Sequence, residues 1–224
     1  REVERDLRTG MTVPPKLSAK SFAGFMARPA WCYRYLTSPK LGMANLAHRI
    51  AEGSSQVSTL GAYINGQFDR ALNWRYAEAV IARWRGPFAI KGILSAADAR
   101  RAADIGATAV IVSNHGGRQL DGVPAPIDVI AEVADAVGGR VEIILDGGVR
   151  RGTHVLKALA RGATACMIGR PYLYGLAAGG QPGVARVLEL LRSEVERGMI
   201  LSGRARIADL DGSLLRPARR AASE

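Results

Sequence analysis

Four short apolar runs alternate with helical patterns, and this alternation constrains the fold more than any other feature of the sequence. The runs occupy residues 88–90, 108–112, 141–145 and 165–168. Ser95 with Asp98, the proline at 126 and the periodic apolar residues of 184–195 predict helices between and after the runs. Strands that alternate with helices are typical of βαβ units and a parallel sheet. Nearly continuous apolar strands fit a sheet covered on both faces or the wall of a barrel.

Composition excludes several classes of protein. The chain has 224 residues, of which 48% are hydrophobic and 23% charged, so neither a disordered nor a collagen-like protein is expected. No run of about 18 uncharged apolar residues predicts a transmembrane helix. Cys32 and Cys166 lie far apart and outside any Cys/His cluster. We therefore expect neither a disulfide scaffold nor a metal site, and a cytoplasmic location is the default.

The charge is strongly basic and unevenly distributed. Lys and Arg number 31 against 20 Asp and Glu, a net charge of +11, which favours nucleic acid, an anionic membrane surface or ligands with phosphate and carboxylate groups. Residues 11–50 hold six basic and no acidic side chains, interleaved with aromatic residues and with prolines that prevent one long helix. Elsewhere the charge is diffuse and no nucleic-acid-binding motif occurs, so nucleic acid is not an expected partner.

The segment that follows the second apolar run carries the most chemistry. It reads SNHGGRQ over residues 113–119. His115 sits between a strand and two glycines, where its ring can exchange a proton near neutral pH. Arg118, three residues later, can bind a carboxylate through two parallel hydrogen bonds. A base beside a carboxylate-binding group suits chemistry at the adjacent carbon, and the alternative is a buried histidine with a surface arginine.

The last two runs each lead into a glycine-rich turn with an arginine. Glycines allow backbone N–H groups to approach a phosphate, the next helix N-terminus favours its charge, and arginine completes the site. In β/α barrels, phosphate is often bound after the last two strands. The alternative is a pair of tight turns with solvated arginines. The residues concerned are Asp146, Gly147, Gly148, Val149 and Arg150 after the third run, and Gly169 and Arg170 after the fourth. Lys91, at the end of the first run, could stabilise an anion or extend into solvent.

Residues 113–119 resemble the active-site signature of the FMN-dependent α-hydroxy-acid dehydrogenases and oxidases, which include glycolate oxidase, L-lactate dehydrogenase and mandelate dehydrogenase. The resemblance continues through residues 90–92, 146–152 and 169–171 and covers roughly residues 60–205. It implies an α/β TIM (β/α)8 barrel. Because only four β/α units are found, we expect the carboxyl-terminal half of such a barrel.

The implied organisation has three parts. Residues 1–74 are the basic, aromatic loop region that follows the family's fourth strand, residues 75–205 are the last four β/α units, and residues 206–224 are a flexible tail. In membrane-associated members this loop carries the membrane-binding segment. Residues 11–50 are therefore a candidate contact with an anionic membrane, which would place the protein peripherally on the inner face of the plasma membrane.

The resemblance also assigns roles to residues. It makes His115 the base that acts on the α-carbon or hydroxyl of the substrate, and Arg118 the carboxylate-binding residue. Lys91 would lie near the N1/O2 edge of FMN, and Ser113 would also contact the flavin. No metal is implied. The ribityl phosphate end of FMN would be held by Asp146, Gly147, Gly148, Val149, Arg150, Gly169 and Arg170.

The implied reaction is oxidation of an (S)-2-hydroxy acid, such as lactate, glycolate or mandelate, to the 2-oxo acid. Oxygen, a quinone or a cytochrome would accept the electrons, and a tetramer is the implied homo-oligomer. Two alternatives stay open: another FMN- or phosphate-binding barrel enzyme, or an inactive fragment that acts as a basic membrane-surface module. The segment by itself is expected to lack activity, because the first barrel half would carry further site residues.

Overall fold

The computed structural model describes residues 18–39 and 66–216 of the chain. The chain divides into two compact units, Arg1–Leu72 and Asn73–Glu224. Residues 1–17 and 40–65 of the predicted loop region and residues 217–224 of the predicted tail lie outside the described residues.

Residues 18–39 of the first unit form two short helices. Helix α1 spans Ala19–Met26 and helix α2 spans Pro29–Thr37. Ser18 and Ser21 form a reciprocal capping box at the start of α1, and proline occupies the first position of α2, where its missing N–H is not needed. The prolines therefore separate two short helices, as the sequence predicts.

The described part of the second unit, residues 73–216, contains four strands, each followed by a helix. Its sheet has the order β1-β2-β3-β4, and all neighbouring strands are parallel. The elements are α3 (Trp74–Trp84), β1 (Ala89–Ile93), α4 (Ala96–Asp104), β2 (Ala109–Ser113), α5 (Pro126–Val137), β3 (Glu142–Asp146), α6 (Gly152–Leu159), β4 (Ala165–Met167) and α7 (Arg170–Leu201), followed by 3-10 helices at Ile207–Asp209 and Gly212–Leu214.

Local sequence explains where these helices begin and end. Ser95 caps α4 by accepting a hydrogen bond from the backbone N–H of Asp98. Proline 126 stands at the first position of α5, and Gly138 ends that helix in the left-handed conformation that glycine adopts easily. The strands and helices predicted between residues 88 and 168 are present. Most ends are displaced by one or two residues, and β1 continues three residues beyond the predicted run, to Ile93.

The core lies between the sheet and its helices. Val110 and Val112 of β2 pack with Ile130, Val133 and Val137 of α5, and all five are at most 1% exposed. In β3, buried and half-buried residues alternate, so one face of this strand packs on helices while the other faces away from them. Because the strands are parallel, all four carboxyl ends lie at one edge of the sheet.

Helix α7 is longer than the sequence analysis predicts. It begins at Arg170 and is interrupted at Gly179 and Gly180, whose backbone angles are not helical. Its two parts approach each other closely, because a Cβ atom on Gly175 would lie 2.6 Å from the carbonyl oxygen of Gly183. The apolar periodicity of residues 184–195 therefore predicts only the second part. No helix in the described ranges is long and apolar enough to cross a bilayer.

Candidate active-site cleft

The loops at the carboxyl ends of the strands enclose a cleft of about 190 Å³. Ten of the eleven predicted site residues line it: Lys91, His115, Arg118, Asp146, Gly147, Gly148, Val149, Arg150, Gly169 and Arg170. The eleventh, Ser113, is only 2% exposed and is hydrogen bonded to Asp146. Residues that are up to 79 positions apart in sequence are thus brought to one place.

The cleft is cationic. Its charged lining consists of Lys91, Arg118, Arg150 and Arg170 against a single carboxylate, Asp146. The lysine and the carboxylate form an ion pair, and the basic side chains of the lining outnumber the acidic ones. A cleft with this balance favours a ligand that carries more than one negative charge.

Asp146 connects three strands through one oxygen atom. Its Oδ2 accepts hydrogen bonds from Lys91 Nζ at 2.5 Å and from Ser113 Oγ at 2.6 Å. Burial raises the pKa of this carboxyl, but the hydrogen bonds from Lys91 and Ser113, with the charge of Lys91, outweigh burial and bring the pKa below its ordinary value. Asp146 is therefore ionised at neutral pH.

The backbone around His115 is left-handed. The φ angles of His115, Gly116 and Gly117 are 57°, 68° and 74°. Glycine adopts such angles freely, whereas a histidine in this conformation is uncommon. The N–H of His115 donates to Ser113 Oγ at 3.1 Å. Residues held in sparsely populated conformations are frequent at functional sites.

Asn114 stabilises the same turn and was not singled out in the sequence. Its Oδ1 accepts from the backbone N–H of Gly117 at 3.1 Å, and its Nδ2 donates to the carbonyl of Pro124 at 3.3 Å. The residue type alone could have indicated this role, since asparagine side chains commonly hydrogen bond to nearby backbone in turns. It ties the His115 turn to the loop that leads into α5.

The amino terminus of α7 faces the cleft without a side-chain cap. Nothing lies within 4 Å of a Cβ atom built on Gly148 or Gly169, so both glycines border open space. Arg170 also donates from Nη2 to the carbonyl of Gly116 at 3.3 Å, which ties this terminus to the His115 turn. Open backbone, a helix N-terminus and arginine together fit a phosphate group.

The amino terminus of α6 is satisfied by the protein itself. The N–H of Gly152 donates to Glu194 Oε2 at 2.7 Å, and Arg151 forms an ion pair with Glu194 at 3.0 Å. The carboxylate supplied by α7 thus takes the position that an external anion would occupy. Of these two termini, the one at Gly169 is the better candidate for ligand binding.

The cleft also has an apolar side that the sequence analysis missed. It is formed by Met167, Pro171 and Leu173. Met167 ends β4 and is 40% exposed. Its position at the carboxyl end of a strand could have indicated that it lines the cleft. An anionic ligand with a flat apolar part would match both sides of this cleft.

Burial raises the pKa of the Cys166 thiol to about 11, so this thiol is protonated and unreactive at neutral pH. Within residues 18–39 and 66–216 there is no group of three His, Cys, Asp or Glu side chains arranged to hold a metal ion.

A parallel β/α sheet with a cationic cleft at its carboxyl edge defines the class, namely β/α proteins that bind an anionic ligand in their loops. The sequence profile of the family described as FMN-dependent dehydrogenase matches residues 1–217. The chain belongs to this family.

Known relatives agree with this assignment. The chain is 42% identical to glycolate oxidase 1 of Oryza sativa subsp. indica over 207 residues, which is 92% of this chain and 50% of the relative. It is 42% identical to an L-lactate oxidase of a Nostoc species over 212 residues, or 95% of this chain and 52% of that protein. The crystal structure of the monotopic membrane protein (S)-mandelate dehydrogenase matches with a TM-score of 0.87 and 36% identity, covering 95% of this chain and 56% of that one.

These comparisons confirm the predicted family and its cofactor, FMN. They also confirm the fold class, since the structural neighbours are FMN-dependent TIM-barrel enzymes and the chain has their parallel β/α architecture. The chain spans about half the length of the curated relatives it matches.

Proposed function

We propose that the complete protein oxidises a 2-hydroxy acid to the 2-oxo acid, with His115 as the active-site base. The observation that carries this proposal is the meeting of His115 and Arg118 in one cleft with Lys91 and both glycine–arginine turns. A proton acceptor, a carboxylate-binding group and a phosphate-binding cradle are the parts that this reaction needs. The names of the relatives support glycolate, lactate and mandelate as candidate substrates.

The residues of the cleft fit FMN. The backbone at Gly148 and Gly169 has space for a phosphate, and Arg150 and Arg170 supply positive charge beside it. Lys91 also lines the cleft, where its ammonium group would stabilise negative charge on the flavin. When bound, FMN accepts the two electrons that the substrate loses.

The side chains of the SNHGGRQ segment handle the substrate. Arg118 presents a planar guanidinium that binds the substrate carboxylate in two-point fashion and so orients its α-carbon. His115 then accepts the proton that leaves the hydroxyl or the α-carbon, because a neutral imidazole is a proton acceptor near pH 7.

Substitution of His115 tests the proposal in the complete encoded protein. His115→Ala should lower kcat by about a hundredfold or more for every 2-hydroxy acid that the wild type oxidises. It should retain the visible absorbance of bound flavin, because the cofactor-holding residues are intact. Arg118→Lys should chiefly raise KM, because an ammonium group cannot replace a planar fork. Wild-type rates in both variants would refute the assignment.

We further propose that residues 11–50 contact an anionic membrane surface. In the described part, Phe25, Trp31 and Tyr35 stack with ring centroids 5.1 and 5.2 Å apart. Large apolar side chains beside them are exposed, and residues 18–39 contain basic but no acidic side chains. Apolar groups with nearby positive charge suit a membrane interface, where each basic residue contributes about 1 kcal/mol. The exposed side chains are Phe22, Met26, Tyr33 and Leu36.

Vesicle sedimentation tests the membrane contact. Leu36→Ser should weaken binding to anionic vesicles about tenfold, because the 80% exposed Leu36 would lose its burial in lipid. Ile200→Ser, a change at a 77% exposed residue of α7, is the matched control and should leave binding unchanged. Equal binding by both variants would argue against a contact through α1 and α2.

A further inference from the structure

We propose that Ser113 and Asp146 are positioning residues, which hold His115 in its left-handed conformation and fix Lys91 relative to it. The proposal rests on the proposed function of His115. Its basis is a continuous set of hydrogen bonds that runs from Lys91 through Asp146 and Ser113 to the backbone of His115.

The first step concerns the backbone of His115. Its φ of 57° is unfavourable for a residue with a Cβ atom, so local contacts must stabilise it. Ser113 supplies such a contact, because its Oγ accepts the N–H of His115 two residues later. This side-chain-to-backbone bond is the kind that stabilises turns.

The second step concerns the direction of that bond. A serine hydroxyl has one proton, and Ser113 donates it to Asp146 Oδ2 at 2.6 Å. The lone pairs of Ser113 Oγ then remain available for the N–H of His115. Ser113 is 2% exposed, so bulk water does not replace either partner. An ionised Asp146 therefore orients the hydroxyl as an acceptor for His115.

The third step concerns Lys91. Ser113 and Asp146 are paired in register at the ends of β2 and β3. The same carboxylate oxygen binds Lys91 from β1, next to the register shift at Gly92. One oxygen of Asp146 on β3 thus fixes both the backbone that presents the base, through Ser113, and the position of the Lys91 cation on β1.

Amide hydrogen exchange of the 224-residue chain, followed by NMR, tests this arrangement directly. Ser113→Ala should speed exchange of the His115 amide about tenfold, since the loss of one hydrogen bond is worth about that factor. The amides of Val110 and Val112 in β2 should keep their protection. Ser113→Thr retains the hydroxyl and should retain slow exchange at His115.

Ser95→Ala is the matched control. Ser95 makes the same type of bond to the N–H of Asp98 at 3.1 Å. This variant should speed exchange at Asp98 and leave His115 unchanged. Asp146→Ala provides a second test, because it removes the acceptor that orients the Ser113 hydroxyl. This variant should also speed exchange of the His115 amide.

Unchanged exchange at His115 in the folded Ser113→Ala variant would overturn the proposal. If that variant does not fold, unchanged exchange in Asp146→Ala would overturn it equally. In the complete protein, Ser113→Ala should lower kcat more than it changes KM, and Ser113→Thr should restore kcat. Turnover by His115→Ala would refute the proposed function, whereas the exchange result stands or falls on its own.

Discussion

His115 combines a reactive side chain with an unfavourable backbone conformation. Its φ of 57° lies in a region where a Cβ atom is crowded by the following carbonyl. The two glycines that follow continue the left-handed turn without such crowding. The strain is thus confined to the residue that presents the imidazole to the cleft.

This conformation predicts different stabilities for two substitutions. His115→Gly should unfold at a higher denaturant concentration than His115→Ala, with a free energy of unfolding about 1 kcal/mol larger, because glycine adopts this φ without crowding. Urea denaturation of both variants measures the difference. A less stable glycine variant would show that the turn is not left-handed at this position.

Asp146 predicts a specific dependence of stability on pH. In the folded protein its pKa lies below the ordinary value of 3.8. The ionised carboxylate therefore stabilises the fold at every pH above the pKa that this carboxyl has in the unfolded chain. This stabilisation is lost as the pH falls through the folded pKa. Asp146→Asn should therefore be less stable than wild type at pH 7, and the gap should narrow below about pH 4. A gap that stays constant from pH 7 to pH 3 would contradict the ion pair with Lys91.

That the candidate site residues meet in one cleft was predictable from the sequence to the extent that the pattern is local. His115, Arg118 and the two glycine–arginine turns were singled out because reactive residue types occur beside glycines after apolar runs. The contact of Lys91 with Asp146 was not found, because 55 residues separate the partners and only the strand order brings them together.

At the scale of elements, glycine controls how α6 and α7 pack. A Cβ atom on Gly152 would lie 2.5 Å from the backbone N of Val195, and one on Gly198 would lie 2.3 Å from Leu156 Cδ1. The two helices therefore approach more closely than larger residues would allow. This contact places Glu194 at the start of α6.

Gly152→Ala should destabilise the second unit by about 1–3 kcal/mol, because the new methyl group would collide with backbone that cannot yield. Gly179→Ala is the matched control: nothing lies within 4 Å of its Cβ position, and its φ of −147° suits any residue. Thermal unfolding of the two variants distinguishes them. Similar unfolding midpoints for the two variants would mean that α6 and α7 can move apart without loss of stability.

The elements themselves were predicted well where the periodicity was regular. The strands and α4, α5 and α6 follow from apolar period, caps and Pro126. The first part of α7 was missed because its pattern is mixed, although Gly179, Gly180 and Pro182 mark its interruption in the sequence. The close approach of Gly175 and Gly183 depends on tertiary packing, which no local pattern reports.

At the scale of the whole molecule, part of the excess positive charge lies where an anion would bind. The chain carries +11 overall, and Arg118, Arg150 and Arg170 line the cleft together with Lys91. Long-range attraction would favour the approach of FMN and of a carboxylate substrate. This attraction should weaken as salt is added.

FMN should stabilise the folded chain against heat. A ligand that binds only the native state at one hundred times its Kd adds about 2.7 kcal/mol to the free energy of unfolding. Arg170→Ala should raise the apparent Kd for FMN about tenfold and so reduce this stabilisation, because it removes a charged contact at the proposed phosphate-binding turns. Arg186→Ala, on the same helix but paired with Glu189 outside the cleft, should leave it unchanged. Equal shifts in both variants would place the phosphate elsewhere.

The shared oxygen of Asp146 also bears on how this family changes over time. Lys91, Ser113 and Asp146 come from three separate strands, and Lys91 and Ser113 both donate to the same oxygen of Asp146. A mutation at any one of them alters the fitness effect of mutations at the others. Natural descendants of this chain should therefore inherit the three as a covarying set, exchanging them together or keeping all of them.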